Sequence, residues 1–326
     1  ASSHSDRGCR PGELRIARGV YLLPTSGLEP WEQKREVTLA RCAGALLASP
    51  STPTLSHECA AIVHGLPCRE QEPDVQVISR ARAPRPRTPL PRVSYAAGDR
   101  RLKGRGASIV RRHRDLADDE TTMVSGLRVT TLERTMLDCA LDLPVRESVC
   151  VLDGGMRALC APNRRLGACL GRDPEELREE LMARLASMGS RRGVRRARAA
   201  LALMSPWSES PGESVLRWIV AAGALPSPTE QEHVHDARSG THAYLDLAWP
   251  DAMLGVEFDG YAKYTSRADL RAEKAREMVL RRHGWRVLRV EWRELRDPDA
   301  VLRRLRAALG GEGRLRRSPS VRDLWE

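Results

Sequence analysis

The chain has 326 residues, 41% of them hydrophobic and 30% charged, with 54 Lys and Arg against 43 Asp and Glu and a net charge of +11. That length supports two or three domains, each burying its own core, and the positive excess favours a polyanionic partner such as nucleic acid. The sequence shows no signal-peptide pattern and no apolar run of about 18 residues, so neither export nor membrane spanning is expected and a cytoplasmic location is. Lysine occurs only at Lys34, Lys103, Lys263 and Lys274, so arginine carries nearly all of the positive charge. Eight cysteines lie scattered up to Cys169 with no CxxC pair, the usage of reduced, packed thiols.

In chain order, residues 13–24 read as a basic turn followed by a short strand, and Trp31 to Ala48 as a helix. Thr54 to Leu66 is a second helix with Ser56 as its N-cap. Strands are expected at 74–79, 109–112 and 126–129, and the Pro and Arg-rich segment 80–92 as a loop. Thr130 and Glu133 have capping-box spacing before an apolar-periodic helix. Helices follow at 145–159, 174–188 and 191–204.

A Ser and Pro-rich joint at 205–212 then changes the pattern. A helix at 213–222 precedes strands at 230–236, 243–248 and 254–258. A charged helix at 266–283, a strand at 285–290 and a helix at 298–309 follow, and the remaining tail is expected to be disordered.

Chemistry concentrates in YLDLAWPDAMLGVEFDG, Tyr244 to Gly260. Asp246 interrupts an apolar strand, and Glu257 and Asp259 share one face of the next. A turn near Trp249 to Ala252 sets the strands side by side, so three carboxylates can converge. Converging carboxylates repel and raise one another's pKa unless a cation separates them, and their hard oxygens suit Mg2+ or Mn2+. The competing reading is an acidic surface balanced by arginines.

With SPGESVLR, RADLRAEKAREMVLRRHG and GWRVLRVEW, this stretch resembles the Vsr-like (very short patch repair) endonuclease domains of the PD-(D/E)XK superfamily, over residues 208–309. The resemblance implies an α/β fold with a restriction-endonuclease-like central mixed sheet flanked by helices, and metal-dependent DNA phosphodiester hydrolysis. It places the metal at Asp246 and Glu257, with Glu213 approaching from the first helix. Where many of the superfamily carry lysine this chain has Asp259, relatives of the Vsr type also lacking that lysine, and Lys263 reads either as its substitute or as a solvated surface lysine. Glu213 also fits a purely structural role, an acidic group at the positive end of a helix. His233, His235 and His242 read as solvent-facing, and Arg271, Lys274 and Arg276 either as phosphate contacts or as helix-surface partners of Glu273 and Glu277.

Residues 13–159, through ARGVYLLP, TLSHECAAIVHGLP and GLRVTTLERTMLDCA, resemble AbiEi-type antitoxins and autoregulators of type IV toxin-antitoxin systems. That likeness implies an α+β region whose ARGVYLLP is the wing of a winged helix-turn-helix, with only about a dozen residues before it. The expected organisation is a truncated winged-helix remnant at 1–30, an AbiEi-like region at 31–204, a nuclease domain at 205–310 and a tail at 311–326. His57 and His64 read as core or capping residues. Arg191, Arg192, Arg195, Arg196 and Arg198 form either a nucleic-acid contact or a solvated basic face. Two functions follow: a DNA endonuclease, or a non-catalytic DNA-binding regulator or antitoxin with a cognate toxin as partner.

Overall fold

The structure is a computed structural model that describes residues 12–49, 53–80, 85–97, 100–260, 267–311 and 322–325. The chain is mixed α/β and divides into two compact units, Ala1–Cys139 and Ala140–Glu326. Among the described residues no helix is long and apolar enough to cross a membrane.

In the first unit, β1 (Leu14–Ala17) and β2 (Val20–Leu22) form a hairpin before α1 (Pro30–Leu47). There follow β3 (Thr54–Leu55), α2 (His57–Val63), β4 (Val75–Ser79), β5 (Arg87–Pro89), β6 (Ser94–Ala97), β7 (Arg100–Lys103), β8 (Ser108–His113), β9 (Thr121–Val124), β10 (Leu127–Thr130) and α3 (Leu132–Asp142), whose last three residues already belong to the second unit. One sheet runs β5-β8-β4-β3-β10-β9, parallel at β4/β8 and β3/β10. VQVIS of β4 is buried along four of its five residues, as a central strand covered on both faces must be. Cys42, Cys59, Leu55, Val75 and Val129 pack at its core, so these thiols fill space as small apolar groups. The helix expected from Thr54 begins only at His57. Ser56 stands at its N-cap but hydrogen-bonds His57 Nδ1 at 2.9 Å and does not cap the helix N–H groups. His64 Nε2 meets Thr130 O at 2.7 Å and His57 is buried, in keeping with packing roles for both.

The second unit begins with α4 (Val145–Cys160), a hairpin of β11 (Pro162–Asn163) and β12 (Ala168–Cys169), α5 (Pro174–Ala186), α6 (Val194–Leu203) and α7 (Pro211–Ala222). The joint at 205–212 lies inside this unit. Ser205 N–H donates to Asp153 Oδ1 at 2.9 Å, and Arg217 reaches back from α7 to the same carboxylate. Strands β13 (Thr229–Asp236), β14 (Thr241–Trp249), β15 (Leu254–Asp259) and β16 (Arg286–Glu291) form one sheet in that order. The first three are antiparallel neighbours, and α8 (Arg267–Arg282) crosses over so that β15 and β16 run parallel. This is the central mixed sheet expected, with α9 (Pro298–Ala308) after it.

The described part of the tail departs from the expected disorder. Residues 322–325 form a turn of helix, α10 (Arg322–Trp325), with Trp218 Nε1 donating to Leu324 O at 2.7 Å and Trp325 Nε1 to Ala222 O at 2.8 Å. Composition hides this because a single Trp, edge-on to Trp218 at 5.2 Å, supplies the anchor.

Candidate active site

Helix α7 starts at Pro211, two residues before the sequence pattern suggests. Ser210 is its N-cap and Pro211 its first residue, a position where the missing N–H costs nothing. Glu213 N–H donates to Ser210 Oγ at 3.2 Å, and the Ser210 hydroxyl donates to Glu213 Oε1 at 2.7 Å. Glu209 N–H donates to Glu213 Oε2 at 2.8 Å. Glu213 is therefore both part of the helix start and fixed in orientation. Gly212 beside it leaves room for the Phe258 ring, which a Cβ would overlap.

Strand β14 brings Asp246 to the same place. The β14/β15 ladder pairs Trp249 with Leu254, Ala248 with Gly255 and Leu247 with Val256, and goes no further. Beyond it Phe258 N–H donates to Asp246 Oδ2 at 2.7 Å, so a carboxylate takes over a bond that a backbone carbonyl would otherwise accept. On the other side the β13/β14 pairing passes over Gln231, which holds φ of 51° opposite Asp246. A non-glycine residue in that region is strained, and Gln231 Nε2 donates to Glu213 Oε2 at 3.4 Å.

Glu213, Asp246 and Glu257 line one cleft of about 680 Å³. Burial first, and the Asp246 charge second, push the Glu213 carboxyl up from 4.5 to about 7, against the opposing pull of Glu209 N–H and Ser210. A neighbouring negative charge and burial both favour the protonated carboxyl. Glu257 instead meets a cation. Arg276 Nη1 and Nη2 grip its two oxygens at 2.5 and 2.8 Å while Arg276 Nε meets Glu273 at 3.0 Å. Desolvation works against the Arg276 charge, but Glu257 and Glu273 overrule it and raise its pKa. Arg289 adds a 2.5 Å bond to Glu273 and approaches Glu257 at 3.7 Å.

Asp259 is not among the residues that line the cleft. It ends β15 opposite Glu291 of β16, because β15 parts from β14 past Val256 and carries its last residues along β16 alone. The expected convergence of three carboxylates is thus made by Glu213, Asp246 and Glu257 rather than with Asp259. Lys263 lies outside the described residues. Among those described, no three or more His, Cys, Asp and Glu side chains are gathered so as to hold a metal ion. As donors the residues divide: Glu213 and Asp246 offer hard carboxylate oxygens of the type that suits Mg2+ or Mn2+, whereas Glu257 already has both oxygens on a guanidinium.

His233, His235 and His242 are exposed, as expected, and stack with Tyr244 at centroid separations of 4.5 to 5.0 Å between successive rings. Partial desolvation, then the neighbouring His235 and His233, hold His242 below its ordinary pKa. Of the arginine cluster near α6, Arg196 donates to Leu141 O, while Arg192, Arg195 and Arg198 face solvent.

Glu213 gives the site a signature in stability. Below pH 4.5 it is protonated both folded and unfolded. Between 4.5 and about 7 the unfolded chain ionises while the folded one keeps the proton, so folding weakens as pH rises through that window. The loss is at most about 3 kcal/mol. Melts of the parent and Glu213→Gln proteins across this window are expected to diverge, the variant losing less stability toward pH 7; parallel curves would contradict the burial of Glu213.

No protein-family model matches the chain. It is 26% identical over 184 residues to uncharacterized proteins of two Mycobacterium tuberculosis strains, CDC 1551 / Oshkosh and H37Rv, covering 56% of this chain. The chain spans 62% of the length of these curated relatives. A solved chain from H. pylori described as a "putative nucleotidyltransferase" is similar over 58% of this chain and 92% of its own length, at 12% identity and a TM-score of 0.32. Likeness at that level assigns neither fold nor activity.

Proposed function

We propose that the second unit is a metal-dependent endonuclease of the Vsr-like PD-(D/E)XK kind that hydrolyses phosphodiester bonds of DNA, attached to an AbiEi-like first unit. The observation that carries this reading is the meeting of Asp246 with Glu213 where β14 and β15 part, the two lining one cleft in which burial and the Asp246 charge raise the Glu213 pKa. Asp246 and Glu213 are the residues that would hold Mg2+ or Mn2+, joined by Glu257 once Arg276 yields it. Bound there, the ion would supply Lewis acidity to the scissile phosphate and to the attacking water. Glu213, on the cleft side of α7, would also be placed to accept a proton from that water at whichever oxygen the ion leaves free. Arg276, displaced from Glu257, would meet the negative charge of the phosphate.

A second reading has its own observation. Arg276 already neutralises Glu257, as a permanent internal cation would in a non-catalytic DNA-binding regulator or antitoxin. Arg276→Gln separates the two. For an endonuclease the variant is expected to bind Mn2+ at least about tenfold more tightly than the parent, because Glu257 becomes a donor, measured by the electron spin resonance of unbound Mn2+. Unchanged or undetectable Mn2+ binding, together with a lower melting temperature, favours the scaffold.

A further inference from the structure

The cleft poses an electrostatic problem for any polyanion. Among the described residues, five carboxylates line it, those of Glu209, Glu213, Asp246, Glu257 and Glu273, against three arginines, and one of these, Arg276, is spent on Glu257 and Glu273. A DNA phosphate approaching Asp246 is repelled unless positive charge meets it at the rim. The other two arginines, Arg164 and Arg165, come from one short element, the β11/β12 hairpin.

That hairpin is built to hold its tip in place. Asn163 Oδ1 accepts from the N–H groups of Arg165 and Leu166, at 3.0 and 3.2 Å, closing the turn from within. Gly167 takes φ of 62° to complete it. At the base, Leu170 N–H donates to Ala161 O and Gly171 N–H to Cys160 O, at 3.0 and 2.8 Å, and Gly171 has no room for a Cβ against Leu159 O. The Arg164 guanidinium lies 4.6 Å from the Tyr244 ring centre and 3.2 Å from Glu209. Both members of that ion pair are exposed, so the bond stabilises little and is readily exchanged for a phosphate. Leu166, between the arginines and Gly167, is 67% exposed at the tip.

We infer that the Pro162–Cys169 hairpin is a DNA-gripping finger: Arg164 and Arg165 hold backbone phosphates at the rim of the carboxylate cleft, and Leu166 wedges into a base step of the duplex. Paired phosphate contacts from a rigid turn fix the strand's register over Asp246, and an apolar wedge kinks the duplex and turns the backbone toward the cleft. This rests on the phosphodiester reading for what happens after the strand is held, but the grip itself needs no metal.

Fluorescence anisotropy with a short DNA duplex in EDTA, over a series of NaCl concentrations, tests the grip. Arg164→Ala/Arg165→Ala is expected to bind at least about tenfold more weakly, with the salt slope reduced by about two and the melting temperature unchanged. Arg164→Lys/Arg165→Lys is expected to regain the slope, since it restores the charge. A fluorescent base analogue in the duplex reports the wedge. Its emission should rise on binding the parent and stay flat with Leu166→Ser at protein concentrations that saturate the duplex. Parent-like affinity and salt slope in the double alanine variant overturn the finger, as does equal emission with Leu166→Ser. Binding lost in that variant while the parent cleaves nothing with Mg2+ would leave the finger standing and sink the nuclease reading; cleavage by a parent whose variant binds normally would do the reverse.

Discussion

Asp246→Asn is expected to lower metal-dependent DNA cleavage by about a thousandfold or more while the protein remains folded. Asparagine keeps an oxygen to accept Phe258 N–H, the bond seen at 2.7 Å, so the parting of β14 and β15 is preserved. What disappears is a negative charge at the metal, and losses of one such group fall in the range of several kcal/mol of transition-state stabilisation. The same substitution should lower the Glu213 pKa from about 7, since the Asp246 charge is the second cause of its rise, but not to 4.5, because burial is the first. Titration of Glu213 by carboxyl NMR in the two proteins reads this apart from activity. Cleavage within a few fold of the parent would remove Asp246 from the mechanism.

The largest stability effect is expected at Arg217, which lies buried in α7 at 5% exposure. Its Nη2 holds both oxygens of the buried Asp153, at 2.5 and 2.6 Å, its Nη1 bonds Leu203 O, and its Nε stands 3.4 Å from Glu230. Arg217→Ala leaves the buried Asp153 without its guanidinium and strips Glu230, whose pKa burial raises and Arg217 lowers, of the larger of its two arginine partners. Breaking one partner out of a buried pair costs about 3 to 5 kcal/mol. Chemical denaturation is expected to show a loss of that size; a loss under about 1 kcal/mol would mean that the network carries little. Because Arg217 and Glu213 share α7, a weaker network should also loosen the start of that helix.

Much of the second unit was legible because its signals are local. Strand alternation gave β13 to β16 to within two residues, and the turn near Trp249 to Ala252 set the strands of Asp246 and Glu257 side by side. The Ser-Pro-Gly-Glu start of α7 held Glu213 in both of its readings, helix start and cleft carboxylate. What escaped depends on chain folding back over distance. The i,i+3 pairing of Glu273 with Arg276 was visible and is present at 3.0 Å, but the reach of Arg276 to Glu257 exists only once α8 crosses the sheet. Asp259 shares the strand parity of Glu257, yet the divergence of β14 from β15 cannot be read from parity. The β11/β12 hairpin was missed altogether: strands of two residues have no alternation to detect, and only Asn163 and Gly167 flanking the turn marked it.

In the first unit, the capping serine of α2 was located but its hydroxyl is used by His57, a competition between side chains that propensity does not contain. The six-stranded order of that sheet likewise follows from parallel pairings between segments far apart in sequence, β4 with β8 and β3 with β10. Short strands such as Arg87–Pro89 hide within Pro and Arg-rich sequence because an edge strand tolerates proline.

The most direct test of the carboxylate pair as a metal-dependent catalytic centre is a Mn2+ titration of the full chain in the presence of supercoiled DNA, following bound metal by electron spin resonance and nicking in the same samples. The expected result is nicking that rises with occupancy of a site present in the parent and missing in Asp246→Asn. Nicking that persists in EDTA, or Mn2+ bound equally by parent and Asp246→Asn, would contradict it.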